Sequence, residues 1–280
     1  MIEKILVGVD GSSYNKSLIK FSIEFSKIFK AKITFVHVVD TIQVSEISKA
    51  CENLAFDPFL NFNQELRKAC ELELSALYKK GELLLKEAQQ FAKEENVLSE
   101  TILETGIIPR VLEELSCNYD MIFAGRKGIN DEFVKSSIGI NTDALIRHIK
   151  IPMFISPNEY YTIKNIVVAY DGKASSLRSL EVSRIIHEKC SDINLKILYV
   201  TKLNTDTNDV DLESISFGDK VILKNKQNTA SAIIDYINNL ENPLLIIGKS
   251  NKGEFITEII GSVTEEILRQ FPKFAILVTP

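Results

Sequence analysis

The amino-acid sequence predicts an α/β fold of two tandem doubly wound domains, each a five-stranded parallel sheet with helices on both faces. Three observations predict it: the chain repeats itself, short apolar runs recur at strand length, and amphipathic helical stretches alternate with them. Ile5-Leu6-Val7-Gly8-Val9-Asp10-Gly11 answers Ile166-Val167-Val168-Ala169-Tyr170-Asp171-Gly172. Near the other end of each half, Gly139, Thr142, Leu145, Arg147 and Phe154 align with Gly261, Thr264, Ile267, Arg269 and Ile276. The offset is 161 at the opening and 122 at the close, so the second half lacks 39 residues from its middle. Such self-similarity governs the architecture before any local propensity does.

In the first half, ILVGV, AKITFVHVV, VLSETILE, YDMIFAG and IPMFIS are β-branched or apolar runs suited to buried parallel strands. Leu18, Phe21, Phe25, Ile28 and Phe29 share one helical face, and Leu66 to Phe91 forms a long amphipathic stretch. In the second half, strands are expected near 166–170, 195–200, 220–223, 244–248 and 274–278. Alternating strands and helices imply right-handed parallel crossovers. TKLNTDTNDVDLESIS stands where the first half has its long helix and reads as a loop with at most one or two helical turns. Ser156-Pro157-Asn158-Glu159-Tyr160-Tyr161 marks the boundary, giving domains 1–157 and 161–280. Thr41 to Asn63 is an insertion whose Phe56, Phe59 and Phe62 suit a helix packed on its own domain.

Ligands of such sheets lie beyond the carboxyl ends of the strands, where strand order reverses. There each half places an Asp-Gly pair, Asp10-Gly11 and Asp171-Gly172. The Asp can accept from an adenine amino group or a ribose hydroxyl, or it can merely start a turn. After the fourth strand the second half reads Gly248-Lys249-Ser250-Asn251, nine residues, then Gly261-Ser262-Val263-Thr264 opening a helix. A glycine loop beside unpaired helix N–H groups suits phosphate. The first half reads Gly125-Arg126-Lys127-Gly128, ten residues, then Gly139-Ile140. Arg126 and Lys127 are placed to screen phosphate charge, whereas Ile140 offers no side-chain donor.

These residues resemble the universal stress protein family. Its ATP-binding members carry Gly, two residues, Gly, nine residues, Gly and Ser or Thr, with an Asp ending the first strand. The resemblance covers essentially the whole chain as two family domains, and it implies a fold like that of the adenine nucleotide alpha hydrolases. It implies nucleotide contacts at Asp171, Val200, Gly248, Asn251, Gly261, Ser262 and Val263, the favoured site. In the first half the matching positions are Asp10, Val38, Gly125, Gly128 and Gly139. ATP is the expected ligand, with AMP or ADP as alternatives and magnesium as a companion. The expected role is regulatory, with an adenine nucleotide and a protein as partners and without rapid turnover. The family's pairing through last strands implies that IPMFISP and FAILVTP join within one chain as a pseudo-dimer, with a homodimer as a further arrangement. One rival reading is a nucleotide-free structural or interaction module; another is a weak ATPase or hydrolase.

A net charge of -5 argues against nucleic acid as the main partner. No GxGxxG or GxxxxGK[ST] motif follows a strand, and no catalytic or metal set emerges from His37, His148, His187 and the four scattered cysteines. The cysteines are therefore expected as free thiols. No apolar run approaches the length that spans a bilayer, and the opening residues lack signal-peptide character, so a cytoplasmic location is expected.

Overall fold

The computed structural model describes residues 2–55, 63–131, 138–190, 192–202, 211–225, 228–249, 261–270 and 273–280. The first half runs β1 (Lys4–Gly8), α1 (Asn15–Phe29), β2 (Lys32–Asp40), α2 (Thr41–Ala55), α3 (Asn63–Glu94), β3 (Ser99–Gly106), α4 (Ile108–Ser116), β4 (Met121–Gly125), α5 (Ile140–His148) and β5 (Met153–Ser156). The second runs β6 (Asn165–Ala169), α6 (Ala174–Lys189), β7 (Asn194–Lys202), β8 (Asp219–Asn225), α7 (Thr229–Asn238), β9 (Pro243–Gly248), α8 (Ser262–Arg269) and β10 (Ala275–Thr279). All strands lie in one ten-stranded sheet of order β3-β2-β1-β4-β5-β10-β9-β6-β7-β8. Pairing is parallel within each half and antiparallel only where β10 meets β5, in the register Ile276↔Ile155, Leu277↔Phe154 and Val278↔Met153.

Side-chain alternation along the strands feeds two apolar layers, each continuous across both halves. One contains Phe25, Phe154, Leu85, Ile186 and Leu277 and packs beneath α1, α3 and α6. The other contains Leu112, Leu145, Ile155, Ile233, Ile267 and Ile276 and packs beneath α4, α5, α7 and α8. Cross-strand partners at the central pair thus enter the same layer, which fixes its register because a one-residue slip would invert every side chain. Helix α1 ends where Lys30 takes φ 57°, letting the Ala31 amide return to the Ser26 carbonyl at 3.0 Å. Asn228 caps α7 by accepting from the Ala230 amide at 2.8 Å.

One reading needs correction: Cys51 and Cys70 are bonded as a disulfide between α2 and α3, and only Cys117 and Cys190 are free. The 19-residue separation of Cys51 and Cys70 falls on two helices folded back on each other, a proximity that spacing cannot reveal. Thr41–Ala55 is a helix, while Phe56, Phe59 and Phe62 lie outside the described residues. In the shortened second half, Leu212 and Ile215 are buried against Tyr170, Leu180 and Ile197, with Phe217 packed beside them.

The linker between the halves is anchored on both sides. The Tyr161 hydroxyl donates to the Pro243 carbonyl at 2.6 Å and accepts from the Ala275 amide at 2.7 Å. Tyr160 packs edge-on against Phe21, its ring beneath Lys20, and its hydroxyl donates to Glu24. Burial raises the Glu24 carboxyl to about 6, against hydrogen bonds from Tyr160 and the Ile163 amide that lower it. A folded pKa above the unfolded one favours the protonated carboxyl, so this contribution is fully present below the unfolded value and is lost as pH rises through 6. Glu24→Gln should therefore match the wild type near pH 4.5 and exceed it by about 1 kcal/mol at pH 8, after allowance for partial exposure. Thermal melts across that range check this, and parallel curves would refute it.

A second expectation concerns the central pair. A fragment of Tyr161 to Pro280 leaves the edge of β10 open, and an apolar open edge invites pairing. It should dimerise or aggregate, while the full chain unfolds in one transition. Sedimentation and melting of both proteins decide the matter, and a monomeric fragment melting at the full-length temperature would refute it.

Candidate functional site

Each half forms a cleft at the carboxyl ends of its strands, built from the same parts. Gly11 and Gly172 take φ 77° and 78°, a left-handed turn that a side chain would strain. In each turn the preceding aspartate accepts from the amide two residues on, Asp10 from Ser12 at 3.0 Å and Asp171 from Lys173 at 3.1 Å. The aligned threonines tie the last helix of each half to the end of its fourth strand. Thr142 donates to the Gly125 carbonyl at 2.8 Å and Thr264 to the Gly248 carbonyl at 3.0 Å.

Beyond this shared frame the clefts diverge. In the second half a cleft of about 470 Å³ is lined by Asp171, Val200, Gly248, Gly261, Ser262 and Val263, six of the seven positions singled out there. Asn251 lies outside the described residues. The start of α6 enters through Ser175 and Ser176, that of α7 through Thr229 and that of α8 through Ser262. Three helix N-termini therefore converge on one space, and their dipoles favour an anion there. Gly248 is needed for close approach, because a Cβ would lie 2.6 Å from the backbone of Ser175. Burial disfavours the Asp171 carboxylate, but hydrogen bonds from Lys173 and Ser176 outweigh it and hold the group below the usual carboxylate range. Lys173, its ion-pair partner at 2.6 Å, is 74% exposed and can turn away without loss of packing.

In the first half, Asp10, Val38 and Gly128 line a cleft of about 380 Å³, while Gly125 faces only an inner recess of about 70 Å³. The backbone uses both oxygens of Asp10, since the Ile129 amide donates to Oδ2 at 3.0 Å. Buried Asp131 occupies the start of α5, accepting from the Ile140 amide at 3.2 Å. A Cβ on Gly139 would stand 2.5 Å from that carboxylate. Thus an internal anion sits where a ligand's phosphate would meet the helix. His37 lines this cleft with its Nδ1 2.7 Å from the Val9 carbonyl.

Of the two cations expected to screen phosphate, buried Lys127 lines the inner recess of the first half, whereas Arg126 lines neither cleft. Arg126 is 1% exposed and donates to the Phe274 carbonyl at 3.4 Å, across the boundary between halves. Burial lowers it to about 10, against nearby tyrosines. Lys249, at the matching place, is buried and donates to the carbonyls of Arg147 and Ile149 at the carboxyl end of α5. Burial lowers its pKa too. Sequence reasoning missed this because a cation beside a loop glycine reads equally well as a phosphate ligand. Their shared position next to the last strand of each half was the available signal.

Among the described residues no helix is long and apolar enough to cross a membrane, and no group of three His, Cys, Asp or Glu is arranged to hold a metal ion.

Comparison with known proteins agrees with this architecture. A curated universal stress protein of Synechocystis sp. is 26% identical over 287 residues, covering 96% of this chain and 97% of its own. The crystal structure of a universal stress protein from Archaeoglobus fulgidus DSM 4304 superposes with a TM-score of 0.71 at 18% identity, covering 99% of this chain and 97% of that one. A functionally unknown protein from Pseudomonas aeruginosa PAO1 superposes at 0.64 and 12% identity, covering 99% and 92%. The model of the universal stress protein family matches residues 1–157, and the chain belongs to that family.

Proposed function

We propose that the chain binds an adenine nucleotide, ATP foremost and AMP or ADP in its place, in the second-half cleft, and that this serves regulation rather than rapid turnover. The observation that carries this reading is the contrast between two equivalent helix starts. Asp131 takes the amide end of α5, whereas among the described residues no carboxylate takes that of α8, which opens with Gly261, Ser262 and Val263 into a cleft large enough for a nucleotide. Asp171 and Val200 at the strand ends would hold the adenine, and Gly248, Asn251, Gly261, Ser262 and Val263 the ribose and phosphates. Magnesium would arrive on those phosphates and keep its own waters, as its coordination chemistry prefers. Bound nucleotide would alter a surface at the carboxyl ends of β6, β7 and β9 that a partner protein reads. The domain limits 1–157 and 161–280, like a cytoplasmic location, belong to the same proposal.

A single ATP per chain is the expected stoichiometry in calorimetry, and nucleotide should be released when the purified protein is denatured. Gly261→Val should abolish binding, with the melt of the unliganded protein changed little; two equal sites, or none, would refute the assignment. The closed first half gives its own expectation. Asp131→Ala should cost about 1 kcal/mol through loss of the α5 cap, and Gly139→Ala about 1–3 kcal/mol through overlap with that carboxylate. Denaturant titrations check both, and a neutral Gly139→Ala would mean that Asp131 does not hold the helix start.

A further inference from the structure

We propose that Cys51–Cys70 is a thiol–disulfide exchange site that holds α2 in place as a wall of the first-half cleft. The placement is read from helical periodicity. Gln43, Ile47 and Cys51 recur at intervals of four on α2, and the first two line the cleft. Cys70, Glu73, Leu77 and Lys80 likewise share one stripe of α3, and the last three line the same cleft. The disulfide therefore lies one turn beyond the lining residues on both helices and closes the outer end of the wall they form.

The described side chains of α2, Thr41 to Cys51, are packed only shallowly. From Thr41 to Cys51 none of its residues is buried, and Ile42 is 57% exposed. Its start is tied to β2 by the Ile42 amide, which donates to Asp40 at 2.9 Å. A helix with so little burial has little packing to keep it docked, because helical stability in proteins comes mainly from a buried face. The covalent tie to α3, whose Leu85, Ala88 and Ala92 are in the core, supplies the anchor instead. Both cysteines are partly exposed, so an attacking thiolate can reach them.

The reductant is a dithiol. One of its thiolates attacks either Sγ, a mixed disulfide forms, and the other protein sulfur leaves as a thiolate. The dithiol's second sulfur then closes its own disulfide and expels the remaining cysteine. Two electrons and two protons pass from the dithiol to Cys51 and Cys70, with no further reactant. Reduction frees α2 to leave the cleft while β2 stays in the sheet.

Dithiothreitol is a direct probe on the full chain. In untreated protein, iodoacetamide should label Cys117 and Cys190, while Cys51 and Cys70 are recovered in one linked peptide. Dithiothreitol should speed amide exchange in residues 41–51 at least tenfold and leave β6 unchanged. Cys51→Ser and Cys70→Ser should show the fast pattern without reductant and no response to it. Labelling of both cysteines in untreated protein, or exchange in 41–51 that reduction does not alter, would overturn the proposal.

Discussion

The antiparallel contact between β5 and β10 is the constraint on which the molecule depends. Each of these strands would otherwise be the edge of a five-stranded sheet whose residues are almost wholly buried, and such an edge would attract any other strand. Joined, they let both apolar layers run without interruption from one half to the other. The contact is also selective. Arg126 from the first half reaches the carbonyl of Phe274, and Lys249 from the second reaches carbonyls at the carboxyl end of α5, where the negative end of the helix dipole lies. Burying two cations is costly, so these ties do more to define one arrangement than to strengthen it. Hydroxyl pairs repeat the symmetry at the ends of the two strands, Ser17 with Ser156 at 2.8 Å and Ser179 with Thr279 at 2.7 Å.

With the frame shared, the two clefts have been free to differ. The threonine ties and left-handed glycines are kept in both, because they set the angle between strand and helix in either half. What differs among the described residues is the surroundings of the helix start: Asp131 accepts from the Ile140 amide in the first half, and Gly261, Ser262 and Val263 line the cleft in the second.

Much of this was legible in the sequence, and the limits follow from physics. The alternation of strands and helices and the division into two parallel-stranded halves follow from apolar runs and the internal repeat, since strands buried on both faces read as continuous apolar runs. Six lining residues of the second cleft were named through the family resemblance that the Asp-Gly pair and the glycine spacing carry. The direction of Arg126 and Lys249 was not readable: both are long side chains, and the choice between a cleft and a partner half is made by tertiary packing. Asp131 was hidden in a spacer of unremarkable composition. Leu212, Ile215 and Phe217 show no period within their segment, so their packing onto the second-half sheet was not readable.

The antiparallel centre also gives the molecule a polarity. Strands β1 to β5 point one way and β6 to β10 the other, so the two clefts open at opposite rims of a single sheet. A partner large enough to cover one rim leaves the other in solvent, and the two halves cannot compete for it across a common face.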